Sequence, residues 1–210
     1  MADPPTPLSH ARQARFALNE VAFNTNNEAA ILYLEHTNKD IFLCVSDFIS
    51  KCCLREAFTK SPIQYKEYLS EFWYSATALE NSKVSFLIPF GGIYDVLGIK
   101  TFRKAIGAHY LVNSSEYVDP LLIDMVRPWF STIRYGEEVH AKGTLKKNLL
   151  PPRWRLLMAQ IIQCLGGKTG GFDQINNKDA IILYCLANGV KIDYAMIFWE
   201  DFLNKLKRRI

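Results

Sequence analysis

One apolar stripe in the last third of the chain constrains the fold more than any other sequence feature. Apolar residues recur there at the positions i, i+3, i+4, i+7, i+8 and i+11, namely Trp154, Leu157, Met158, Ile161, Ile162 and Leu165. Such positions lie on one side of an α-helix, and that side needs a cover from the rest of the chain. Pro151-Pro152 before the stripe and Gly166-Gly167 after it are typical of helix boundaries.

Two further helices are predicted after this one. Asn176 or Asn177 is expected to cap the first, which ends near Asn188-Gly189, and Asp193 is expected to cap the second. The last helix has no sequence signal that would end it, which leaves open that the chain is truncated. We expect side chains of the three helices to meet in one cluster: Trp154, Leu157, Ile161, Leu165, Ile181, Tyr184, Ile197 and Phe198.

In the earlier part of the chain, the spacing of the apolar residues changes once from that of a helix to that of a strand. Residues 83–89 are rich in β-formers, Phe90-Gly91-Gly92 is typical of a turn, and residues 93–97 can pair back on the first run. We therefore predict a mainly α fold, a multi-helix domain with one small β-hairpin near residues 83–97. Two helices are predicted after the hairpin, one capped by Thr101 and one that Asp119-Pro120 opens and Pro128 interrupts or ends.

The domain organisation follows from these patterns. Residues 1–15 are polar and Pro-rich, and we expect a flexible N-terminal tail there. Residues 22–210 are predicted to form the helical domain. An irregular stretch with glycine breaks divides it into two candidate sub-lobes, 22–135 and 144–210.

Composition indicates an intracellular protein with a packed core. Hydrophobic residues make up 49% of the chain, which is enough for a core. The five cysteines form no C-x-x-C pair, so free thiols in a reducing compartment, the cytoplasm or the nucleus, are expected. The N-terminus lacks the apolar region of a secretory signal, and no apolar run reaches the ~20 residues that span a bilayer. We therefore expect no membrane partner.

No motif in the sequence predicts catalysis. The run GGKTGG at residues 166–171 contains Gly-Lys-Thr, but Ile162 stands where a phosphate-binding loop needs its first glycine. Glu137, Glu138 and His140 could contribute to a metal site, although a solvated loop is the simpler interpretation. We predict a protein that is not an enzyme, with no catalytic, cofactor-binding or metal-binding residues.

The charge distribution gives the best functional signal. Residues 139–210 carry 12 Lys/Arg against 5 Asp/Glu, whereas residues 1–138 carry 13 against 16. Cations beside an aromatic residue such as Trp154 are typical of nucleic-acid contact, although a solvated basic face has the same appearance. The candidate RNA- or DNA-binding residues are Lys142, Lys146, Lys147, Arg153, Arg155, Lys168, Lys205, Lys207, Arg208 and Arg209.

Several segments resemble a known family. They are LLPPRWRLLMAQIIQCLGGKTGGFDQI (149–175), DAIILYCLANGVKIDYAMIFWEDFLNKL (179–206), VSDFISKCCLREAFTKSPIQYKEYLSEFWYSA (45–76) and TFRKAIGAHYL (101–111). Over about residues 22–209 the chain is similar to open reading frames of plant LTR retrotransposons of the type abundant in the daisy family. The resemblance implies a Gag-like or accessory region of a retrovirus-related polyprotein, and it assigns no functional residue.

Two functions remain open. The leading hypothesis is a non-enzymatic module of a plant retrotransposon-derived polyprotein. It would act by self-association, by weak and non-specific contact with RNA or DNA, or by both. The alternative is a cellular protein–protein interaction domain without a nucleic-acid role. Strong salt dependence of binding to RNA or DNA would distinguish the first hypothesis from the second.

Overall fold

The protein is described by a computed structural model that covers residues 39–59, 65–107, 117–119, 121–165 and 173–208. The described residues are mainly helical, as the sequence predicts. They form eight α-helices: α1 (Lys39–Lys51), α2 (Arg55–Thr59), α3 (Lys66–Ser75), α4 (Ile99–Ile106), α5 (Ile123–Thr132), α6 (Pro152–Gln160), α7 (Asn177–Asn188) and α8 (Tyr194–Lys207). A π-helical turn, Ile161–Leu165, continues α6.

Two small antiparallel sheets accompany the helices. The first has the order β1 (Thr77–Ala78), β2 (Val84–Ile88) and β3 (Ile93–Leu97), and the second pairs β4 (Leu145–Lys146) with β5 (Gln174–Ile175). The predicted hairpin is confirmed, because β2 and β3 pair from Val84 opposite Leu97 to Ile88 opposite Ile93. The turn between them is a short 3-10 segment that Gly92 ends with a φ of 61°.

A large hydrophobic core, called here the main cluster, joins α1, α2, α5, α6 and α7 to the start of α8. The cluster predicted from the three C-terminal helices is confirmed within it. Leu157 and Ile161 are buried members, and the other six predicted residues are partly buried and pack against the cluster. Ile161 is fully buried, so the helical phase assigned to the apolar stripe is correct.

A smaller core, called here the sheet cluster, lies between the three-stranded sheet and the second half of α8. Its buried members are Val84, Trp199, Leu203 and Leu206. Partly buried residues of β1, β3 and α4 pack against them, including Leu97, Ile99 and Phe102. The indole Nε1 of Trp199 donates a hydrogen bond to the Ser82 carbonyl over 3.0 Å, so it is satisfied although the ring is buried.

The predicted caps of the last two helices are confirmed. The side chain of Asn176 accepts a hydrogen bond from the Asp179 amide over 2.7 Å and caps α7. Gly189 ends that helix in the left-handed region, with a φ of 64°. The carboxylate of Asp193 accepts from the Met196 amide over 3.2 Å and caps α8.

The predicted effect of Pro128 is wrong, because this proline lies inside α5, which continues to Thr132. A proline inside a helix costs about 3 kcal/mol. Val126 and Phe130, on either side of it, are both fully buried in the main cluster. Burial of two such side chains contributes about 1.5–3 kcal/mol each, which is enough to offset that cost.

Two predicted helix starts are also wrong. Helix α5 begins at Ile123 with Leu122 as its N-cap, not at Asp119-Pro120. Helix α4 begins at Ile99 with Gly98 as its N-cap, so Thr101 lies inside it. Ile99 and Phe102, three residues apart on this helix, both pack against the sheet cluster.

Some predictions concern residues that the structure does not describe. The tail at residues 1–15, the run GGKTGG at 166–171 and the cations Lys168 and Arg209 lie outside the described residues. Both clusters combine residues from the two candidate sub-lobes, before residue 135 and after residue 144. Among the helices of the described residues, none is both long and apolar enough to cross a membrane.

Candidate nucleic-acid interface

The segment that leads into α6, together with the first turn of that helix, carries half of the candidate cations and is held by backbone contacts. Strand β4 pairs with β5, and the Lys147 amide donates to the Asp173 carbonyl over 2.7 Å. The Asn148 amide donates to the Asp173 carboxylate over 3.1 Å. Buried Leu145 and Leu150 fix the two ends of this short run in the main cluster. The cations between and beyond them therefore project from an ordered base.

Five candidate cations lie on this segment from residue 142 to residue 155. Four of them are exposed and Lys147 is half-buried. They are Lys142, Lys146, Lys147, Arg153 and Arg155. We call this segment with its five cations the α6 basic surface.

The N-terminus of α6 adds a second positive feature to this surface. Pro151 is the N-cap residue and no side chain caps the helix. The first turn carries no acidic residue and includes Arg153. The amides of a first turn and the helix dipole make such a terminus favourable for anions. A cation there is unfavourable for the helix itself, and a bound phosphate would relieve that effect.

Two arginines have structural roles at this surface. The guanidinium of Arg155 donates to the Leu150 carbonyl from Nε over 3.2 Å and from Nη2 over 3.1 Å, so it braces the turn before α6. The guanidinium of Arg127 in α5 donates to the carbonyls of His140 and Gly143, over 3.2 Å and 2.7 Å. Arg127 thereby holds the loop that carries Lys142. Arg127 could not be selected from the sequence, because its loop partners are 13 and 16 residues away.

Acidic groups lie close to one end of the α6 basic surface. The hydroxyl of Tyr135 accepts a hydrogen bond from the Lys146 amide over 2.7 Å. Burial raises the pKa of Tyr135, and the charges of Glu137 and Asp173 raise it further, against the opposing effects of the Lys146 bond and Arg127. The surface near Lys146 is therefore of mixed sign, and its field on a polyanion is weaker than the number of cations alone indicates.

The C-terminal cations are anchored elsewhere. Lys205 and Lys207 belong to α8 and Arg208 follows it, in the part of the helix where Leu203 and Leu206 enter the sheet cluster. Residues two apart on an α-helix point about 200° apart, so Lys205 and Lys207 do not share a face. Lys205 also pairs with Asp201, with Nζ 3.1 Å from the carboxylate. These three cations lie on or directly after the part of α8 that packs in the sheet cluster, whereas the α6 basic surface rests on the main cluster.

Trp154 does not provide a free stacking ring at this surface. It is partly buried against the main cluster, and its ring meets that of Trp129 edge to face, with centroids 5.3 Å apart. The ring stabilises α6 against α5. In the residues that the structure describes, no group of three His, Cys, Asp or Glu side chains is placed to hold a metal ion.

A further set of cations lies on α4 and is absent from the candidates chosen by sequence. Lys100 and Lys104 are exposed and lie four residues apart, hence on one stripe of the helix. Arg103 forms an ion pair with Asp193 at the N-terminus of α8 instead. The signal is present in the sequence, since residues 99–106 contain three cations and no acid. A charge balance taken over the whole of residues 1–138 conceals it.

Exposed aromatic residues at the tip of the hairpin form another surface feature. Phe90 is 74% exposed and Tyr94 is 69% exposed. The ring of Phe90 lies 5.8 Å from that of Tyr68, which in turn lies 5.6 Å from the exposed ring of Tyr65. We call Tyr65, Tyr68 and Phe90 the aromatic tip. Exposed apolar surface of this kind is typical of contact sites for other proteins.

Comparisons of the chain with protein families, with curated proteins and with solved structures found no match. The surfaces described above are therefore the physical basis for a function.

Proposed function

We propose that this chain is a non-enzymatic module of a plant retrotransposon-type polyprotein that contacts RNA or DNA weakly and without sequence preference. Its place of action is the cytoplasm or the nucleus. The observation that carries the proposal is the α6 basic surface, where five cations lie along the segment that ends in a helix N-terminus that no side chain caps. The segment resemblance to Gag-like reading frames supports the same kind of role.

The mode of contact follows from the kind of groups present. Lysine and arginine neutralise phosphates and release counterions, so affinity falls steeply with salt. Sequence preference needs side chains that reach base edges or stack on bases. Trp154 packs against Trp129 and is not free for stacking. The acidic residues near Lys146 also reduce the attraction of this surface for phosphates, so we expect weak, non-specific binding.

The test is a charge reversal at Lys146, Lys147 and Arg153. Arg155 is left unchanged because it braces Leu150. Affinity for single-stranded RNA should fall, and the slope of log affinity against log salt should decrease by about 0.7 for each phosphate that the variant no longer neutralises. Binding is measured by fluorescence anisotropy of a labelled oligonucleotide across a salt series.

The matched control reverses Lys83, Lys100 and Lys104, three exposed lysines on or beside α4. It changes the net charge by the same amount at a different surface. We expect a smaller decrease in affinity from the control than from the α6 variant. Equal decreases would show that only net charge matters, and a folded α6 variant that binds like the unmodified chain would refute the proposal.

The aromatic tip supports a second candidate function, contact with another protein, either a second copy of this chain or a cellular partner. In that case Phe90→Ser should weaken self-association measured by analytical ultracentrifugation, and high salt should leave the association intact. Apolar contacts are insensitive to screening, whereas phosphate contacts are not. Absence of any concentration-dependent association would count against self-association through the tip.

A further inference from the structure

Strand β3 is an edge of the three-stranded sheet. The strand order is β1-β2-β3, and among the described residues nothing pairs with the far side of β3. Four of its five residues are exposed, and Leu97 is half-buried. Unpaired edges of this kind present backbone groups to other strands, and proteins commonly protect them.

The hydrogen bonds of Ser75 show which backbone groups of β3 face outward. The Ser75 hydroxyl donates to the Leu87 carbonyl over 2.7 Å and accepts from the Leu87 amide over 2.9 Å. The backbone groups of Leu87 therefore point away from β3. Leu87 stands opposite Tyr94, so this is a non-hydrogen-bonded pair. The amide and carbonyl of Tyr94 then point to the free edge, and by alternation so do those of Val96.

Asp95, between these two residues, protects part of that edge. Its carboxylate accepts a hydrogen bond from the Val96 amide over 2.7 Å. One of the two outward amides is thereby occupied by a neighbouring side chain. A negative charge also stands at the middle of the exposed strand, where a pairing strand would have to pass.

The edge is self-complementary about Asp95. We propose that β3 can pair with β3 of a second copy of this chain and that Asp95 opposes this pairing. A two-fold axis at Asp95 would place Tyr94 opposite Val96 of the second copy, so that the outward amides and carbonyls exchange hydrogen bonds. The ring of Tyr94 would then face a β-branched side chain across the junction, a favourable cross-strand pair.

Two properties of Asp95 oppose this pairing. Its carboxylate holds the Val96 amide that the second copy needs. In the two-fold arrangement it also faces the Asp95 carboxylate of the second copy, and like charges directly opposite each other destabilise a strand pair. This pairing involves the sheet edge only and does not depend on nucleic-acid binding by the α6 basic surface.

The test replaces Asp95 and measures the mass of the chain by sedimentation equilibrium. Asp95→Ala removes both the charge and the hydrogen-bond acceptor and should lower the dimer dissociation constant by about tenfold or more. Asp95→Asn removes the charge but keeps an acceptor for the Val96 amide, so its effect should be smaller. Glu80→Ala, in the turn between β1 and β2, removes an exposed acid away from the edge and should change nothing.

A second substitution locates the contact. In the Asp95→Ala background, Val96→Pro removes an outward amide without touching the β2–β3 ladder and should restore the original dissociation constant. Should that variant melt at a lower temperature, Tyr94→Pro, which removes the other outward amide, takes its place. An unchanged dissociation constant in Asp95→Ala, or association that survives the proline, would overturn the proposal.

Discussion

The main cluster and the sheet cluster differ in how completely the chain covers them. Among the described residues, the main cluster has twenty buried members drawn from helices on several sides. The sheet cluster has four, and three of those belong to α8. The first is a core in its own right, whereas the second consists of a small sheet packed mainly against α8, with α4 beside it. Three apolar residues of β3, Ile93, Tyr94 and Val96, are exposed on the sheet that forms one side of the second cluster.

Helix α8 explains how so small a core can be stable. Its first turn enters the main cluster through Tyr194, and its later turns enter the sheet cluster through Trp199, Leu203 and Leu206. The main cluster therefore fixes the helix on which the sheet packs. Damage to the sheet cluster should stay local, whereas damage to the main cluster should spread to both.

Trp199→Ala should have the largest effect. The ring is 1% exposed and its Nε1 bonds to Ser82, so its removal should lower the free energy of unfolding by about 3–5 kcal/mol. We expect amide exchange in β1, β2 and β3 to lose its protection while α5 and α7 retain theirs. Urea unfolding followed by circular dichroism, together with hydrogen exchange, measures both.

Trp73→Ala is the control for this experiment. The rings of Trp73 and Trp199 both contact that of Phe202, but Trp73 is 36% exposed. Its replacement should cost clearly less than that of Trp199. Equal loss of protection in α5 and α7 after Trp199→Ala would show that the two clusters form one cooperative unit.

Ile161→Ala should be the next largest change. The side chain is fully buried in the main cluster, and truncation of a buried isoleucine costs about 2–5 kcal/mol. Because α8 is anchored there, protection should fall in the sheet as well as in α5 and α7. A loss confined to α6 and α7, with β2 and β3 still protected, would contradict the dependence of the sheet cluster on the main cluster.

The same two regions differ in how far they could be predicted from the sequence. The stripe from Trp154 to Leu165 has one apolar side, so its phase and its cluster were predicted correctly. Helix α8 is apolar on two sides, and the residues predicted to face inward were Tyr194, Ile197, Phe198 and Phe202. Trp199, Leu203 and Leu206 were missed because a helix between two cores shows no single stripe.

The candidate site was predictable only in part. A run of cations is visible in a sequence, so the five residues of the α6 basic surface could be named. Their surroundings depend on distant contacts, such as Arg127 with Gly143 and Tyr135 with the Lys146 amide. The outward-facing backbone groups of β3 could not be predicted from the sequence either, because they follow from the hydrogen bonds between Leu87 and Ser75.

The smallest expected effect tests the joint between α7 and the part of α8 that carries the sheet. Lys178 of α7 and Lys205 of α8 both contact the Asp201 carboxylate, with Nζ–oxygen distances of 2.8 Å and 3.1 Å. Burial alone would raise the pKa of Asp201, but the hydrogen bonds and charges of Lys178 and Lys205 outweigh it and the pKa is lowered. A lowered folded-state pKa contributes stability above the unfolded-state value, and that stability disappears as the pH falls through the folded-state value.

Asp201→Asn should therefore reduce the free energy of unfolding at pH 7 by less than about 1 kcal/mol, because the carboxylate is about one third exposed and solvent screens the pair. The difference from the unmodified chain should shrink as the pH falls below the unfolded-state pKa of about 3.9. Asp47→Asn is the control, since Asp47 and Lys51 form a pair of the same kind on the open surface of α1 and should contribute nothing measurable. Urea midpoints across a pH series give both values. If the two substitutions have equal effects at every pH, the joint between α7 and α8 does not depend on Asp201, and packing alone connects the two clusters.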